Sequence, residues 1–305
     1  MITQTTSVDA RILGLLLPYH RTTGPASADP QDHPEQLDQI RTFTERGEPV
    51  LFTLPGFPCK SPNPEKVLGH LPDEGERLSL SFLDGLCARI GEIYAPGARM
   101  VICSDGHIFA DQIKVSDADI DAYGDELRAL IRREGLQHLE TFDLRQVHGD
   151  LPHEEKRRLV TEAYAPPLDA LRAQTRTDEE TARLYRGITR FLVEDTPAGH
   201  AGSRSALQRE CRARAYEVIA RSRAWGELIA DHFPRSVRLS IHPQPMGAGK
   251  FGIRLLDSVD AWATPWHSVV VRGPWPGARL MRRVEAEGVG RLVWRGERPS
   301  HYVVG

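Results

Sequence analysis

The sequence predicts an α/β fold: a mostly parallel sheet with covering helices and a helical insert. Three observations carry this expectation. Strand-like apolar runs alternate with amphipathic helical stretches through roughly the first half of the chain. Two of those runs, Val50 to Leu54 and Ala98 to Cys103, are short and largely apolar, as strands buried on both faces are. Strand-like runs then return beyond residue 235, after a long stretch rich in leucine, alanine, arginine and glutamate.

Taken in order, the apolar patch Ile12 to Leu17 reads as a core helix, since Asp9 and Arg11 precede it and no cleavage-site pattern follows. Residues 22–35 hold Pro, Ser, Thr and Asp and read as a surface loop. Glu35 to Arg46 has helical spacing, and Val50 to Leu54 is the first strand. Leu78, Phe82, Leu86, Ile90 and Ile93 recur at helical spacing, so Glu74 to Tyr94 is a long helix that Pro96-Gly97 ends. Ala98 to Cys103 is the second strand, Asp117 to Glu134 an amphipathic helix, and Leu136 to Leu144 contains a third strand. From about residue 150 to 232 only helices are expected. Strands return at Ser236–His242, Phe251–Leu256, Ser268–Val271 and Leu292–Trp294. The expected division is an N-terminal helix and loop (1–34) followed by one α/β domain (35–305) with its helical insert around 150–232; a split into two domains near residue 150 is the alternative.

Composition narrows the function. The chain has 305 residues and a net charge of −3, which gives no electrostatic footprint for nucleic acid. No apolar run approaches the length of a membrane span. The four cysteines are scattered without C-x-x-C spacing, which suits buried thiols in a reducing cytoplasm.

Four segments concentrate chemistry. Phe57-Pro58-Cys59-Lys60-Ser61-Pro62-Asn63-Pro64 follows the first strand, and its three prolines forbid helix and continued strand. A stiff loop at a strand end that carries an ammonium (Lys60), a hydroxyl (Ser61) and an amide (Asn63) suits an anion or phosphosugar. The plainer reading of Lys60 is a solvated surface charge. Ser104-Asp105-Gly106 follows the second strand. Asp105 is either a general base or an ordinary helix cap. In Arg238-Leu239-Ser240-Ile241-His242, strand alternation puts Arg238, Ser240 and His242 on one face. That face is either solvent, on an edge strand, or a polar cavity suited to an anion. Gly247-Ala248-Gly249-Lys250 precedes another strand, and Thr264-Pro265-Trp266-His267 adds an aromatic ring and an imidazole. Core packing and a structural hydrogen bond are the plainer readings of Trp266 and His267. A phosphate-binding P-loop is rejected because Phe251 stands where Ser or Thr belongs and a strand follows. G-x-S-x-G and a post-strand G-x-G-x-x-G are absent. A metal site of His242, His267 and Asp105 has no supporting spacing.

Together these segments resemble the isocyanide (isonitrile) synthase family, also called the pyoverdine/dityrosine biosynthesis family. The matching text runs from Leu54-Pro55-Gly56-Phe57-Pro58-Cys59-Lys60-Ser61-Pro62-Asn63 through Lys66-Val67-Leu68-Gly69 and Leu71-Pro72-Asp73. It continues with Ile93-Tyr94-Ala95-Pro96-Gly97-Ala98, then Ser104-Asp105-Gly106 with Phe109-Ala110-Asp111, then Arg190-Phe191-Leu192 with Asp195. It closes with Arg238-Leu239-Ser240-Ile241-His242-Pro243, Lys250 and Thr264-Pro265-Trp266-His267. The similarity covers about residues 35 to 275. His107 departs from the pattern, which has arginine or lysine there.

The resemblance implies a Rossmann-like enzyme that joins the amine of tyrosine or tryptophan to C2 of ribulose 5-phosphate, the carbon that becomes the isonitrile. It implies no metal or redox cofactor and a separate downstream oxygenase as partner. Lys60, Lys250 and Arg238 are the expected cations for the sugar phosphate, and Arg190 the guanidinium for the substrate carboxylate. His242 and His267 are the expected proton shuttles. Asp105 is expected to act as base or to hold the substrate ammonium. Ser61, Asn63, Ser104, Ser240 and Trp266 are expected beside the substrates, and Phe57, Phe109 or Trp266 to line an aromatic pocket. Direct attack by the substrate amine and an imine on an enzyme lysine both stay open. Three other readings compete: an enzyme whose products carry N-formyl groups, a metal-dependent oxygenase or hydrolase using His242 and His267, and a non-catalytic phosphosugar-binding protein.

Overall fold

The computed structural model describes residues 7–197, 202–258, 260 and 263–305. Residues 1–6 of the expected N-terminal segment and 198–201 of the expected insert lie outside the described residues, as do 259, 261 and 262. Five parallel strands form the central sheet: β1 (Val50–Pro55), β2 (Ala98–Cys103), β3 (Leu139–Phe142), β4 (Val237–Ser240) and β5 (Phe251–Gly252). Their spatial order is β3-β2-β1-β4-β5. Val50 stands beside Ala98 in the β1–β2 register, and Phe52 beside Val237 in the β1–β4 register. The strand order therefore reverses direction at β1, which opens a crevice beyond the carboxyl ends of β1 and β4. Open parallel sheets bind their ligands at such switch points.

Helices cover both faces. α1 (Val8–Leu16), α2 (Pro34–Thr44), α3 (Glu74–Ile93) and α5 (Asp117–Arg133) share one core with the sheet. α4 (Gly106–Ile113) lies between α3 and α5 in the chain. β2 shows how the period of two divides the cores. Met100 and Ile102 join the α3 side, whereas Val101 and Cys103 meet Trp225 and Leu228 on the other side. α3 begins at a capping box, Asp73 with Glu76, and its buried face holds Leu80, Leu83, Leu86 and Ile90. The face is thus turned relative to the sequence reading, with Leu78 and Phe82 only half-buried. The insert is helical as expected: α6 (Leu144–His148), α7 (His153–Tyr164), α8 (Leu168–Thr177), α9 (Glu179–Glu194) and α10 (Arg204–His232).

The C-terminal strands depart from the simple reading. Ser268–Val271 and Leu292–Trp294 do not extend the central sheet. They fall within β7 (Val269–Arg272) and β9 (Arg291–Arg295) of a second, mixed sheet, completed by β6 (Asp257–Ser258), β8 (Ala278–Met281) and β10 (Arg298–Val303). Its small core joins Val269, Val271 and Tyr302 to Ala286 of α11 (Arg283–Val289). Local periodicity identifies a strand but not the sheet that it joins. The N-terminal segment also belongs to the main core: Ile12, Leu13 and Leu16 are fully buried there, and His20 bridges to Ile253 just past β5.

Candidate active site

β1 ends at Pro55, and the chain turns sharply. Phe57 has a φ of 55°, a left-handed conformation that a bulky side chain rarely takes. Complete burial and the Trp266 ring, 4.9 Å away between centroids, hold it there. The proline loop that follows points Lys60 inward. Its Nζ donates to Asp73 Oδ2 at 2.8 Å and to the Pro265 carbonyl at 2.9 Å, and lies 2.8 Å from Glu76 Oε2. An ammonium has three N–H donors, so all are engaged. Burial opposes the Lys60 charge, but Asp73 and Glu76 together hold its pKa above the ordinary value. Burial pushes Glu76 up to about 7 despite that ammonium. Tyr123 closes the network by donating to Glu76 Oε1 at 3.1 Å. The expectation that Lys60 faces substrate is corrected on this geometry: its side chain shows 0% exposure and fastens the loop to α3 and to the Thr264–His267 turn.

Ser61 and Asn63 also bind protein. Ser61 Oγ donates to Asp195 Oδ1 at 2.5 Å, and Lys66 Nζ donates to the same oxygen at 2.9 Å. Asn63 Nδ2 donates to the Glu194 carbonyl at 3.0 Å. The loop is thereby tied to the end of α9, and the Ser61 N–H, donating to the Trp266 carbonyl at 2.8 Å, ties it to the 264–267 turn as well.

Asp105 lies beside this loop, at the end of β2. A Cβ on Gly106 would collide with the Pro58 carbonyl oxygen, so only glycine lets α4 start so close to the loop. Ser104 extends the ladder to β3, its N–H donating to the Phe142 carbonyl at 2.8 Å. Asp105 occupies the N-cap position of α4, yet its side chain makes no cap bond. Its Oδ1 is buried without a hydrogen-bond donor, and burial pushes the carboxyl up to about 7. The helix-cap reading of Asp105 holds for its position and not for its side chain, which caps nothing.

The polar face of β4 lines the interior of the fold, since β4 runs between β1 and β5 and is no edge. Val237, Leu239 and Ile241 are buried on the opposite face, as the alternation required. Arg238 Nη2 donates to the Gly226 carbonyl of α10 at 3.0 Å. A methyl placed on Gly226 would sit 3.5 Å from Arg238 Nη2 and 3.7 Å from Lys250 Nζ, so the two cations converge on one bare stretch of helix. Burial and the Arg238 charge lower the Lys250 pKa. Ser240 Oγ accepts from the His242 N–H at 3.1 Å and shapes the strand end. His242 keeps accessible surface, yet the surrounding protein, with Arg21 and Lys250, pushes it down to about 4. Accessibility combined with strong desolvation is what a concave wall produces.

His267 behaves alike. Burial pushes it down to about 4; Asp195 opposes this, while Lys66, Lys60 and His242 add to it. Its Nδ1 lies 3.0 Å from Thr264 Oγ1, and Phe191 packs edge-on at 4.8 Å. The structure thus brings together Arg238 of β4, Lys250 at the start of β5 and His242 just past β4, with His267 near enough to His242 to feel its charge; Asp105 stands past the end of β2, with β1 between it and β4. Other expected residues, beyond Lys60, Ser61 and Asn63, also stand otherwise. Trp266 is core, packed on Gly56 and Phe57. Arg190 is largely exposed on α9 and pairs with Glu194 at 2.6 Å. Phe57 is fully buried, and Phe109 packs between two cores.

Sequence reading passed over Arg21, whose Nη1 donates to the Ile241 carbonyl at 2.5 Å beside His242. It also left Asp73, Glu76 and Asp195 without roles, although the Asp73-x-x-Glu76 capping box is a legible signal. The trio His242, His267 and Asp105 does not form a metal-ligand cluster. Among the described residues only His107, Asp117 and His153 bring ligand atoms within 4.8 Å of one another. Their geometry suits hydrogen bonding better. The two imidazoles stack 3.8 Å apart and 8° from parallel, so their lone pairs do not converge, and Arg157 already holds both Asp117 oxygens. A cavity of about 350 Å³ opens beside the proline loop, lined by Ser61, His70, Lys114 and Asp119 among others, and none of the β4 or β5 groups reaches it.

Comparison with known proteins places the chain in a family. Residues 40–288 match the family model described as pyoverdine/dityrosine biosynthesis protein. The chain is similar to the L-tyrosine isonitrile synthase of Pseudomonas aeruginosa, 46% identical over 97% of this chain and 94% of that one. It is also similar to the L-tryptophan isonitrile synthase AmbI2 of Fischerella ambigua, 42% identical over 87% of this chain and 81% of that one. The crystal structure of the PvcA protein from Pseudomonas aeruginosa superposes with a TM-score of 0.91, at 46% identity, covering 98% of this chain and all of that one. The chain belongs to the pyoverdine/dityrosine biosynthesis family of isonitrile synthases, and it is an enzyme of that family.

Proposed function

We propose that this enzyme converts the α-amino group of L-tyrosine into an isonitrile, taking the new carbon from C2 of ribulose 5-phosphate. The observation that carries the reading is the convergence of Arg238 and Lys250 on Gly226, beside a desolvated His242, at the switch point of the sheet. Two neighbouring cations in a desolvated recess suit a phosphate dianion, and arginine adds a bidentate fork. Tyrosine is favoured because the relatives matched over 97% of this chain are named tyrosine enzymes, whereas the tryptophan enzymes match over 87–88%.

Condensation of an amine with a ketone releases water, and detaching the remaining sugar carbons and the phosphate then requires repeated proton transfers. Asp105, raised to about 7, is poised to accept and return a proton at neutral pH. His242 and His267, lowered to about 4, are neutral there and able to accept protons. Arg21, enclosed beside His242, is assigned to the substrate carboxylate in place of the exposed Arg190. Lys60, Ser61, Asn63 and Asp195 keep the loop rigid. The four cysteines are free and buried, which suits work in a reducing cytoplasm. No helix among the described residues is long and apolar enough to cross a membrane.

The test is incubation of the purified enzyme with ribulose 5-phosphate and either tyrosine or tryptophan, followed by mass spectrometry. An isonitrile formed from tyrosine is expected. Folded enzyme that consumes neither amino acid, alongside an active relative, would overturn the reading.

A further inference from the structure

We propose that Lys250 is the enzyme's own amine nucleophile, forming a transient imine with C2 of the ketose phosphate before the amino acid enters. This rests on the reading above and assigns a covalent role inside the same site. The five lysines of the chain are Lys60, Lys66, Lys114, Lys156 and Lys250. Four are unsuited by their surroundings. Lys60 has all three donors engaged and no exposure. Lys66 is bound to buried Asp195 and lies over the Phe191 ring. Lys114 pairs with Glu210 at 2.6 Å, and Lys156 is buried on α7 within the insert.

Lys250 differs in each respect. It ends the glycine-rich segment Gly247-Ala248-Gly249 and immediately precedes β5, which the parallel register sets level with Arg238 of β4. It is only half-buried, and among the described residues Glu227 acts on its charge electrostatically, raising its pKa, without an ion pair between them. The missing side chain of Gly226 on α10 leaves its tip approachable, and the neighbour that shares this bare stretch of helix is another cation, Arg238 of β4. A desolvated lysine beside a second cation releases its proton more readily, which is the environment of an imine-forming amine. Burial and Arg238 shift Lys250 in that direction.

The step balances without an oxidant. Neutral Nζ adds to C2, the carbonyl oxygen takes up protons and leaves as water, and a C=N bond to Lys250 remains. The amino acid's amine then adds to the same carbon, and Lys250 departs as the amine. His242, neutral and close enough for Lys250 to influence its charge, is placed to carry the protons. Lys250 is cationic while the ketose phosphate is drawn in; once it has lost its proton and turned to C2, Arg238 keeps the phosphate.

The experiment mixes the intact enzyme with ribulose 5-phosphate alone, adds sodium borohydride, and maps adducts by peptide mass spectrometry. Reduction of the imine adds one ketose phosphate less one oxygen atom, and this mass is expected on the Lys250 peptide. Lys250→Arg is expected to bind ribulose 5-phosphate within a few-fold of the wild type by calorimetry while its turnover falls by about 10²-fold or more. A wild-type enzyme that binds and turns over the ketose but yields no adduct, or yields it on another lysine, would overturn the inference and leave the proposed reaction standing. So would a fully active Lys250→Arg, since arginine cannot serve as that nucleophile. An enzyme that neither binds nor consumes ribulose 5-phosphate would remove the proposed substrate and this inference together.

Discussion

Replacing Lys60 with methionine tests whether this lysine is an anchor of the fold. Methionine keeps the apolar length of the side chain and removes the charge. Lys60 makes two 2.8 Å ion pairs, with side-chain exposures of 0% for itself, 4% for Asp73 and 0% for Glu76. Breaking a pair so completely buried costs about 3–5 kcal/mol, because the partner charges stay behind uncompensated. At about 2–3 °C per kcal/mol for a chain of this size, Tm falls by about 6–15 °C. The loss also depends on pH. Glu76 already titrates near 7 in the folded enzyme, above its ordinary 4.5, because of burial. Without Lys60, Glu76 rises further above its unfolded value. An acid with a raised folded pKa binds its proton more tightly in the folded state, so stability falls as pH rises through that pKa. The deficit of Lys60→Met is therefore larger at pH 8 than at pH 5.5. Urea unfolding of both proteins at the two pH values measures it, and Lys60→Met/Glu76→Gln is expected to recover part of the loss. A deficit below about 1 kcal/mol at pH 8, or one that grows on acidification, would refute the reasoning.

Other outcomes follow from the same geometry. Asp195→Ala leaves the Lys66 ammonium unpaired in a buried place and Ser61 without its acceptor; urea titration is expected to show a loss of about 3 kcal/mol or more. Gly226→Ala gains about 0.5–1 kcal/mol of helix stability, since its methyl meets Arg238 and Lys250 only at ordinary contact distance. Gly226→Leu is expected to displace those cations and raise KM for ribulose 5-phosphate well beyond any change in KM for tyrosine. His242 and His267, lowered to about 4 from 6.5, resist protonation in the folded state. The stability they contribute is present above about pH 6.5 and lost as pH falls toward 4, so a His242→Gln/His267→Gln variant is expected to show a shallower acid-side decline by calorimetry. Asp105→Asn is expected to abolish the limb of the kcat/KM profile that rises through about pH 7.

Much of the frame is legible in the residues. Val50 to Leu54 and Ala98 to Cys103 announce buried strands because both of their faces are covered, and the structure pairs them in register. The alternation Arg238-Leu239-Ser240-Ile241-His242 announces a two-sided strand. That its polar side faces inward depends on β1 and β5 flanking it, which no local pattern encodes. β10 escaped notice because Arg298 to Val303 is polar at several positions and gains its pairing from β7 and β9. The site was legible in its residue types and less so in their partners. Lys60 reads as a free cation until Pro265, 205 residues away, supplies an acceptor. Ser61 reads as substrate-facing until Asp195, 134 residues away, accepts its hydrogen bond. Such pairings are products of topology, and only the folded chain displays them.

The most direct test of the central claim is isotopic. The enzyme is given tyrosine and ribulose 5-phosphate carrying carbon-13 at C2 alone, and the product is read by carbon-13 NMR and mass spectrometry. The account predicts one labelled carbon, bonded to the amino-acid nitrogen as the terminal isonitrile carbon. A product whose isonitrile carbon is unlabelled would contradict it and would separate the cations Arg238 and Lys250 from the carbon donor assigned to them.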